Sequence, residues 1–366
     1  MATDSTEEIN SSDSVRAGSR KNRVFVFYDF LLRTYFPSRK DLPLSPSLSR
    51  HSVILDVAGG KGDLSWLLSN VSHINSIVVD PRHAVSHSHM VKSITYLQKH
   101  PEEAKRRAVP NRPTFQPLAA ILVGSNDLRQ RSLEEFRQPP SLRLLVNQKL
   151  VEAVKSFKET SCMTQWETFW QTALHQGLTT QPLLGKRQKL RSTDQESFLE
   201  IQSRVDRESE NQPGLVDDAM LRNAHAVLDL LLHRTSLVVG FHPDQATDPC
   251  IDLAYELGVP FCIVPCCVFP KEFPDRTFLP EPDNTVATTT ANSASESGTR
   301  ERKPVKKYHE LLVYLREKIQ GKFRLCRTHE LEFYPPNTCH DISSNGPHSS
   351  SRNIVLYTLP EDVLRK

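Results

Sequence analysis

The sequence predicts an α/β fold, a doubly wound, mostly parallel sheet carrying a helical insertion. Three observations predict it. Short apolar runs recur that are continuous rather than alternating, as strands buried on both faces require. The first two runs, 53–57 and 76–80, are joined by a glycine turn and a helical stretch. That is a βαβ unit of about 30 residues, with a crossover expected to be right-handed. Later in the chain, runs 236–240 and 260–264 enclose a second helical stretch in the same manner.

The elements follow in order. Residues 1–22 are polar and acidic without periodicity, and read as a disordered tail ahead of a domain spanning 23–366. Val24, Phe25, Val26, Phe27 and Phe30, with Tyr35 and Phe36 behind them, form an apolar run whose period does not choose between helix and strand. Arg33 and the break at Pro37 favour a short helix. After the first strand, Gly59, Gly60 and Gly62 open a helix containing Leu64, Trp66, Leu67 and Leu68, and Pro81 stops the second strand.

Residues 83–100 read as helical, and 119–124 as a strand or helix start. The amphipathic run Leu150, Val151, Val154 and Phe157 precedes the aromatic cluster Trp166, Phe169 and Trp170 and a basic segment at 186–191. We read 125–212 as a mostly helical insertion. The alternating pattern resumes with a helix over 226–232 and a helix over 250–257. The latter has Asp248 as N-cap, Pro249 at its first position and Gly258 past its end. Residues 281–304 read as a disordered loop, a helix presents Tyr308, Leu311 and Leu315, and 353–357 is the closing strand. At least two further strands of the sheet have no clear signal.

Bulk properties exclude some classes. Lys plus Arg is 46 and Asp plus Glu 43, a net +3, which neither supports nor excludes a nucleic-acid partner, since binding needs a local basic patch. No run approaches the roughly 20 apolar residues that span a bilayer, so no membrane partner is expected. The N-terminus lacks the apolar core of a secretory signal, which points to a cytoplasmic or nuclear protein whose seven cysteines are thiols. There is no Cys-x-x-Cys pair, and adjacent Cys266 and Cys267 suit neither a zinc knuckle nor an easy disulfide, so no metal is expected.

The glycine loop is Asp56-Val57-Ala58-Gly59-Gly60-Lys61-Gly62-Asp63. Directly after a strand, the backbone must turn sharply and approach a ligand, which glycine does without a Cβ clash. Asp80 ends the next strand about 18 residues beyond Gly62, where a carboxylate can accept from two ribose hydroxyls. A dinucleotide motif read from Gly60 puts Ser65 at its last position, and Lys61-Gly62 breaks a P-loop. A carboxylate at Asp56 would repel a pyrophosphate but suits a cofactor with a cationic amino-acid end.

These residues resemble the acidic-x-Gly-x-Gly-x-Gly pattern of class I, Rossmann-like S-adenosylmethionine-dependent methyltransferases, with Ala58 at the first glycine. The resemblance implies S-adenosyl-L-methionine as cofactor. It places Asp56, Ala58, Gly59, Gly60, Lys61 and Gly62 around the methionine part and Asp80, followed by Pro81 and Arg82, at the ribose and adenine side. A second likeness involves His242, Ala246, Thr247 and Asp248 after Gly240, followed by Pro265-Cys266-Cys267. It is similar to a subset that includes the glutathione S-transferase C-terminal-domain-containing protein and a tRNA ribose methyltransferase family. Pro243-Asp244 departs from that subset's variable-Cys-Gly.

Ligands of open α/β sheets bind at the carboxyl ends of the strands. His242 is therefore a candidate acceptor of a substrate proton, against the equal alternative of a histidine satisfied within the turn. Asp244 offers a base or substrate ligand, though Pro-Asp is also ordinary turn chemistry. Cys266 is the candidate nucleophile for a covalent mechanism, against the reading of a small buried core residue. Gly240 closes the cofactor set. The expectation is methyl transfer to an oxygen or nitrogen acceptor, with RNA as a possible acceptor resting on the resemblance and on the basic runs near 186–191 and 300–307. The alternatives are an NAD(P)-dependent oxidoreductase and a non-catalytic Rossmann-like interaction protein. Oligomeric state is left open.

Overall fold

Seven strands form one sheet. The computed structural model describes residues 11–36, 52–82, 86–87, 90–92, 136–179, 223–280, 301–331 and 353–364, with side chains from residue 23 onward. The strands are β1 (Val53–Val57), β2 (Ser76–Val79), β3 (Ser141–Leu142), β4 (Thr235–Phe241), β5 (Phe261–Val264), β8 (Arg327–Glu330) and β9 (Ile354–Tyr357). Their order is β3-β2-β1-β4-β5-β9-β8, and β6 (Thr277–Phe278) pairs with β7 (Lys303–Pro304) apart from the sheet. Within the sheet β9 runs antiparallel to both β5 and β8 and the other pairings are parallel; β6 and β7 pair antiparallel. The central strands are rich in Val and Ile, which fit a pleated surface packed on both sides.

Successive residues of β1 feed opposite layers, because strand side chains alternate. Ile54 joins Leu237, Val239 and Cys262 beneath α1 (Ser11–Tyr35) and α2 (Asp63–Asn70). Val53, Leu55 and Val57 join Ile77, Val79 and Val238 on the other face. That second face is covered by α3 (Gln148–Thr160), α4 (Met163–Thr179), α5 (Ala224–Asp229), α6 (Thr247–Leu257) and α7 (Tyr308–Gln320). The apolar run after residue 23 is helical, as Arg33 and Pro37 suggest. It anchors by stacking Phe27 on Phe241 at 5.0 Å and by donating the Tyr35 hydroxyl to the Thr358 carbonyl at 2.8 Å.

At four places the structure adds to the sequence reading. Helix α1 begins at Ser11, inside the segment read as a tail. The described part of 125–212, residues 136–179, is mostly helical and includes strand β3 of the sheet. β3 pairs with β2 through Val78–Ser141, and Val154, Trp166 and Trp170 are buried in the same core as β1. The Trp166 indole donates to the Ala224 carbonyl at 2.7 Å, so α4 and α5 are tied together as a layer of the fold. Helix α5 runs into a π turn, Leu230–Arg234, before β4. At the end of the segment read as a loop over 281–304, Lys303 pairs with Phe278. The expectations for 1–10, 119–124, 186–191, most of 83–100 and residues 281–300 lie outside the described residues.

Candidate functional site

The chain runs β1-β2-β3 toward one edge and β4-β5 toward the other. The strand order therefore reverses between β1 and β4, and a crevice opens at their carboxyl ends. A cavity of about 590 Å³ lies there. Ala58 from the β1 loop, Asp80, Pro81 and Arg82 from the β2 loop, and Pro243 and Asp244 from the β4 loop all line it. Residues expected from both halves of the sequence thus meet in one place.

The glycine loop is held by two buried carboxylates. Asp56 is fully buried and does not line the cavity; its Oδ2 accepts from the Ser65 hydroxyl at 2.8 Å and the Ser65 amide at 3.3 Å. It thereby anchors the first turn of α2 from beneath. Burial pushes its pKa up to about 7, against the lowering effect of the Ser65 bonds. A Cβ on Gly59 would stand 2.7 Å from the Asp56 carboxyl, so this glycine is demanded by Asp56 itself. Asp80 Oδ2 accepts from the Gly60 amide at 2.9 Å, which ties the loop to the end of β2.

Ala58 and Gly60 have φ of 53° and 60°. The left-handed conformation costs an alanine roughly 1–2 kcal/mol, and such strain clusters at ligand sites. Ala58 is held in it by donating its amide to the Val79 carbonyl at 2.8 Å. Gly59, Gly60, Lys61 and Gly62 are not among the cavity-lining residues, and Lys61 is exposed. Gly62, φ 85°, is the cap position of α2.

Arg82 occupies the place expected for a sugar. Its Nε and Nη2 donate to Asp80 Oδ1 and Oδ2, both at 2.9 Å, and its amide donates to Oδ1 at 2.8 Å. These bonds raise the guanidinium pKa further above its ordinary value.

Three candidates of the second half, Gly240, His242 and Cys266, are not among the residues that line the cavity. His242 is half-buried, at φ 57°, with its ring 4.4 Å from that of Phe241, and it does not line the cavity. Cys266 is buried and its thiol donates to Asp244 Oδ1 at 2.8 Å. Burial, reinforced by Asp244, pushes the thiol pKa up, the opposite of what an attacking thiolate needs. Gly240 is also not a lining residue; a Cβ there would stand 3.1 Å from Pro243, so the glycine serves the close packing of the β4 turn.

Asp248 has a different role from the one its sequence suggests, and the lining residues Phe273, Arg276 and Lys318 carried no signal. Asp248 is not the cap of α6, which starts at Thr247 after Ala246. Its carboxylate instead accepts from Arg276 Nε at 2.7 Å and lies 3.5 Å from the Lys318 ammonium. Arg276 also donates Nη1 to the Val268 carbonyl at 2.8 Å and sits 3.8 Å over the Phe273 ring. Asp248, Phe273, Arg276, Tyr314 and Lys318 form the far wall. Their partners lie tens of positions apart, so no local pattern announces them.

Leu144, Val146 and Asn147, just past β3, supply the wall beside Asp80. Asn147 also caps α3, accepting from the Leu150 amide at 3.1 Å. Comparison with protein-family models, with curated proteins and with solved structures finds no match for this chain. Among the described residues, no helix is long and apolar enough to cross a membrane.

Proposed function

We propose that the chain is an S-adenosyl-L-methionine-dependent methyltransferase acting on an oxygen or nitrogen acceptor, with RNA among the acceptors to be tested. One observation carries the reading. The buried carboxylate of Asp80 stands at the end of β2, in the wall of the crevice between β1 and β4, and binds the glycine-loop amide of Gly60.

The residues fit the cofactor in three respects. Asp80 offers two carboxylate oxygens to a ribose diol once Arg82 withdraws. Leu144 and Val146 offer an apolar wall for a purine beside it. Ala58, held at positive φ, brings the loop backbone to the cavity surface. Bound there, the cofactor supplies an electrophilic sulfonium methyl group. What the protein's own residues contribute is positioning of the acceptor in line with that methyl and exclusion of water.

The competing dinucleotide reading meets a structural difficulty. The strand order begins 3-2-1-4-5, as in the doubly wound dinucleotide fold, but the sixth position is taken by an antiparallel strand, β9.

Calorimetry with S-adenosylmethionine, S-adenosylhomocysteine and NAD tests the proposal. Binding of the first two and not of NAD is expected; binding of NAD alone would reverse the assignment.

A further inference from the structure

The turn after β4 and the strand end after β5 bring together three side chains that the cofactor reading does not use as a group. A carboxylate oxygen of Asp244 and the sulfurs of Cys266 and Cys267 all lie within 4.8 Å of one another. The sequence separates Asp244 from the adjacent cysteines by more than twenty positions and shows no metal-binding spacing, so only the fold assembles this set.

The arrangement is held rigidly. The His242 amide donates to the Val264 carbonyl at 3.1 Å, tying the β4 turn to the end of β5. His242 and Asp244 both stand at positive φ, 57° and 49°. Gly240 lets Pro243 pack against it. These constraints aim the Asp244 carboxylate at the Cys266 sulfur, 2.8 Å away.

We propose that Asp244, Cys266 and Cys267 form a three-ligand site for a borderline-soft divalent cation, zinc above all, at the edge of the cavity. Zinc takes thiolates at about 2.3 Å and carboxylates at about 2.0–2.2 Å, so its ligand atoms sit roughly 3.5–3.8 Å apart on a tetrahedron. Asp244 and Cys266, 2.8 Å apart, need to open by at most about 1 Å, and no pair exceeds 4.8 Å, so modest side-chain shifts reach that spacing. Two thiolates select against magnesium and calcium, which prefer oxygen. Three protein ligands leave a fourth position for water or a substrate heteroatom, the pattern of catalytic rather than structural zinc.

Cys266 is buried, whereas Asp244 is exposed and lines the cavity, so the site has a closed side and an accessible one. On binding, each thiol gives up its proton to solvent, and the ligand set then carries three negative charges against the two of the ion. Arg82 lies close enough to Asp244 for their charges to interact, which offsets the remaining charge. The site stands whether or not the crevice binds S-adenosylmethionine.

The test uses the full chain, purified under reductant without chelator. Metal content is measured by mass spectrometry, zinc affinity by competition with a chromophoric chelator, and ligand type by the spectrum of the cobalt(II)-substituted protein. One metal per chain, proton release on binding and a thiolate-to-cobalt charge-transfer band are expected. The Cys266→Ser/Cys267→Ser double variant should lose the band and at least about 100-fold in affinity, more than the range typical for a group one shell further out. Should that variant misfold, Asp244→Asn serves instead, because asparagine tolerates positive φ. It should keep the band and bind about tenfold more weakly. A folded wild type without stoichiometric metal, or a cobalt band of unchanged intensity in the double variant, overturns the proposal. None of these readouts uses S-adenosylmethionine, so failure here and failure of the methyltransferase reading are separate events.

Discussion

The guanidinium of Arg82 grips the carboxylate of Asp80 through two parallel hydrogen bonds of 2.9 Å, on the wall of the cavity where a ribose is expected to bind. Arg82 is about half exposed, 47% at its side chain against 2% for Asp80. Its withdrawal into solvent would leave a buried carboxylate unpaired, a cost that a diol donating to both Asp80 oxygens offsets. The buried carboxylate stays.

This pair predicts opposite effects of two substitutions. Asp80→Ala removes the acceptor of two ribose hydroxyls, each bond to a charged group being worth roughly 1.5–3 kcal/mol. Affinity for S-adenosylhomocysteine should fall at least about 100-fold by calorimetry. Arg82→Ala removes a competitor and should leave that affinity unchanged or improve it. Equal losses in both variants would show that Arg82 is itself a ligand contact.

Asp56 predicts a pH dependence of stability. Its folded pKa of about 7 lies above the ordinary 3.8 of a free aspartate, because burial penalises the charge. Between those values the folded state binds more protons than the unfolded one, so stability falls as pH rises from about 4 to 7 and then levels off. Asp56→Asn keeps an oxygen for the Ser65 hydroxyl and amide. It should flatten this part of the thermal-stability profile and gain on the order of a few kcal/mol at pH 8. An unchanged profile would refute the assignment.

Gly177 predicts a packing limit. A Cβ there would fall 1.9 Å from the Arg143 carbonyl oxygen just past β3. That contact is with backbone and has no rotamer to escape into. Gly177→Ala should push α4 from the sheet edge and cost about 1–3 kcal/mol, read from the urea midpoint. A neutral result would mean that α4 does not approach β3 this closely.

Arg276 predicts a coupling across the far wall. With its side chain only 4% exposed, it pairs with Asp248 and covers Phe273. Arg276→Met alone leaves Asp248 buried beside Lys318 only and should cost about 3 kcal/mol in chemical denaturation. Adding Asp248→Asn should recover much of the loss, since the double variant leaves no unpaired charge. Additive losses would show that the two residues act separately.

Elements made by neighbours in the chain were legible before any coordinates. The βαβ unit around Gly59, Gly60 and Gly62 is where it was expected, because strand, turn and helix each leave a local pattern. β8 was missed: Arg327-Thr-His-Glu330 is an edge strand with mostly exposed side chains, so it carries no apolar run. β3 was missed because two residues are too few for any period. Asp248 was misread because Asp-Pro ahead of a helix is ordinary capping chemistry, and its actual partner, Arg276, lies 28 positions away.

Local periodicity and glycine placement sufficed for the α/β class and for a glycine loop beside Asp80, since each depends on residues within about thirty positions of one another. The reach of side chains across the crevice was another matter. That Asp56 faces Ser65 rather than the cavity, that His242 turns to Phe241, and that Asp244 meets two cysteines all follow from how the strand ends are juxtaposed. Burial and hydrogen-bond partners are properties of three-dimensional neighbours, and a linear order of residues does not encode them position by position.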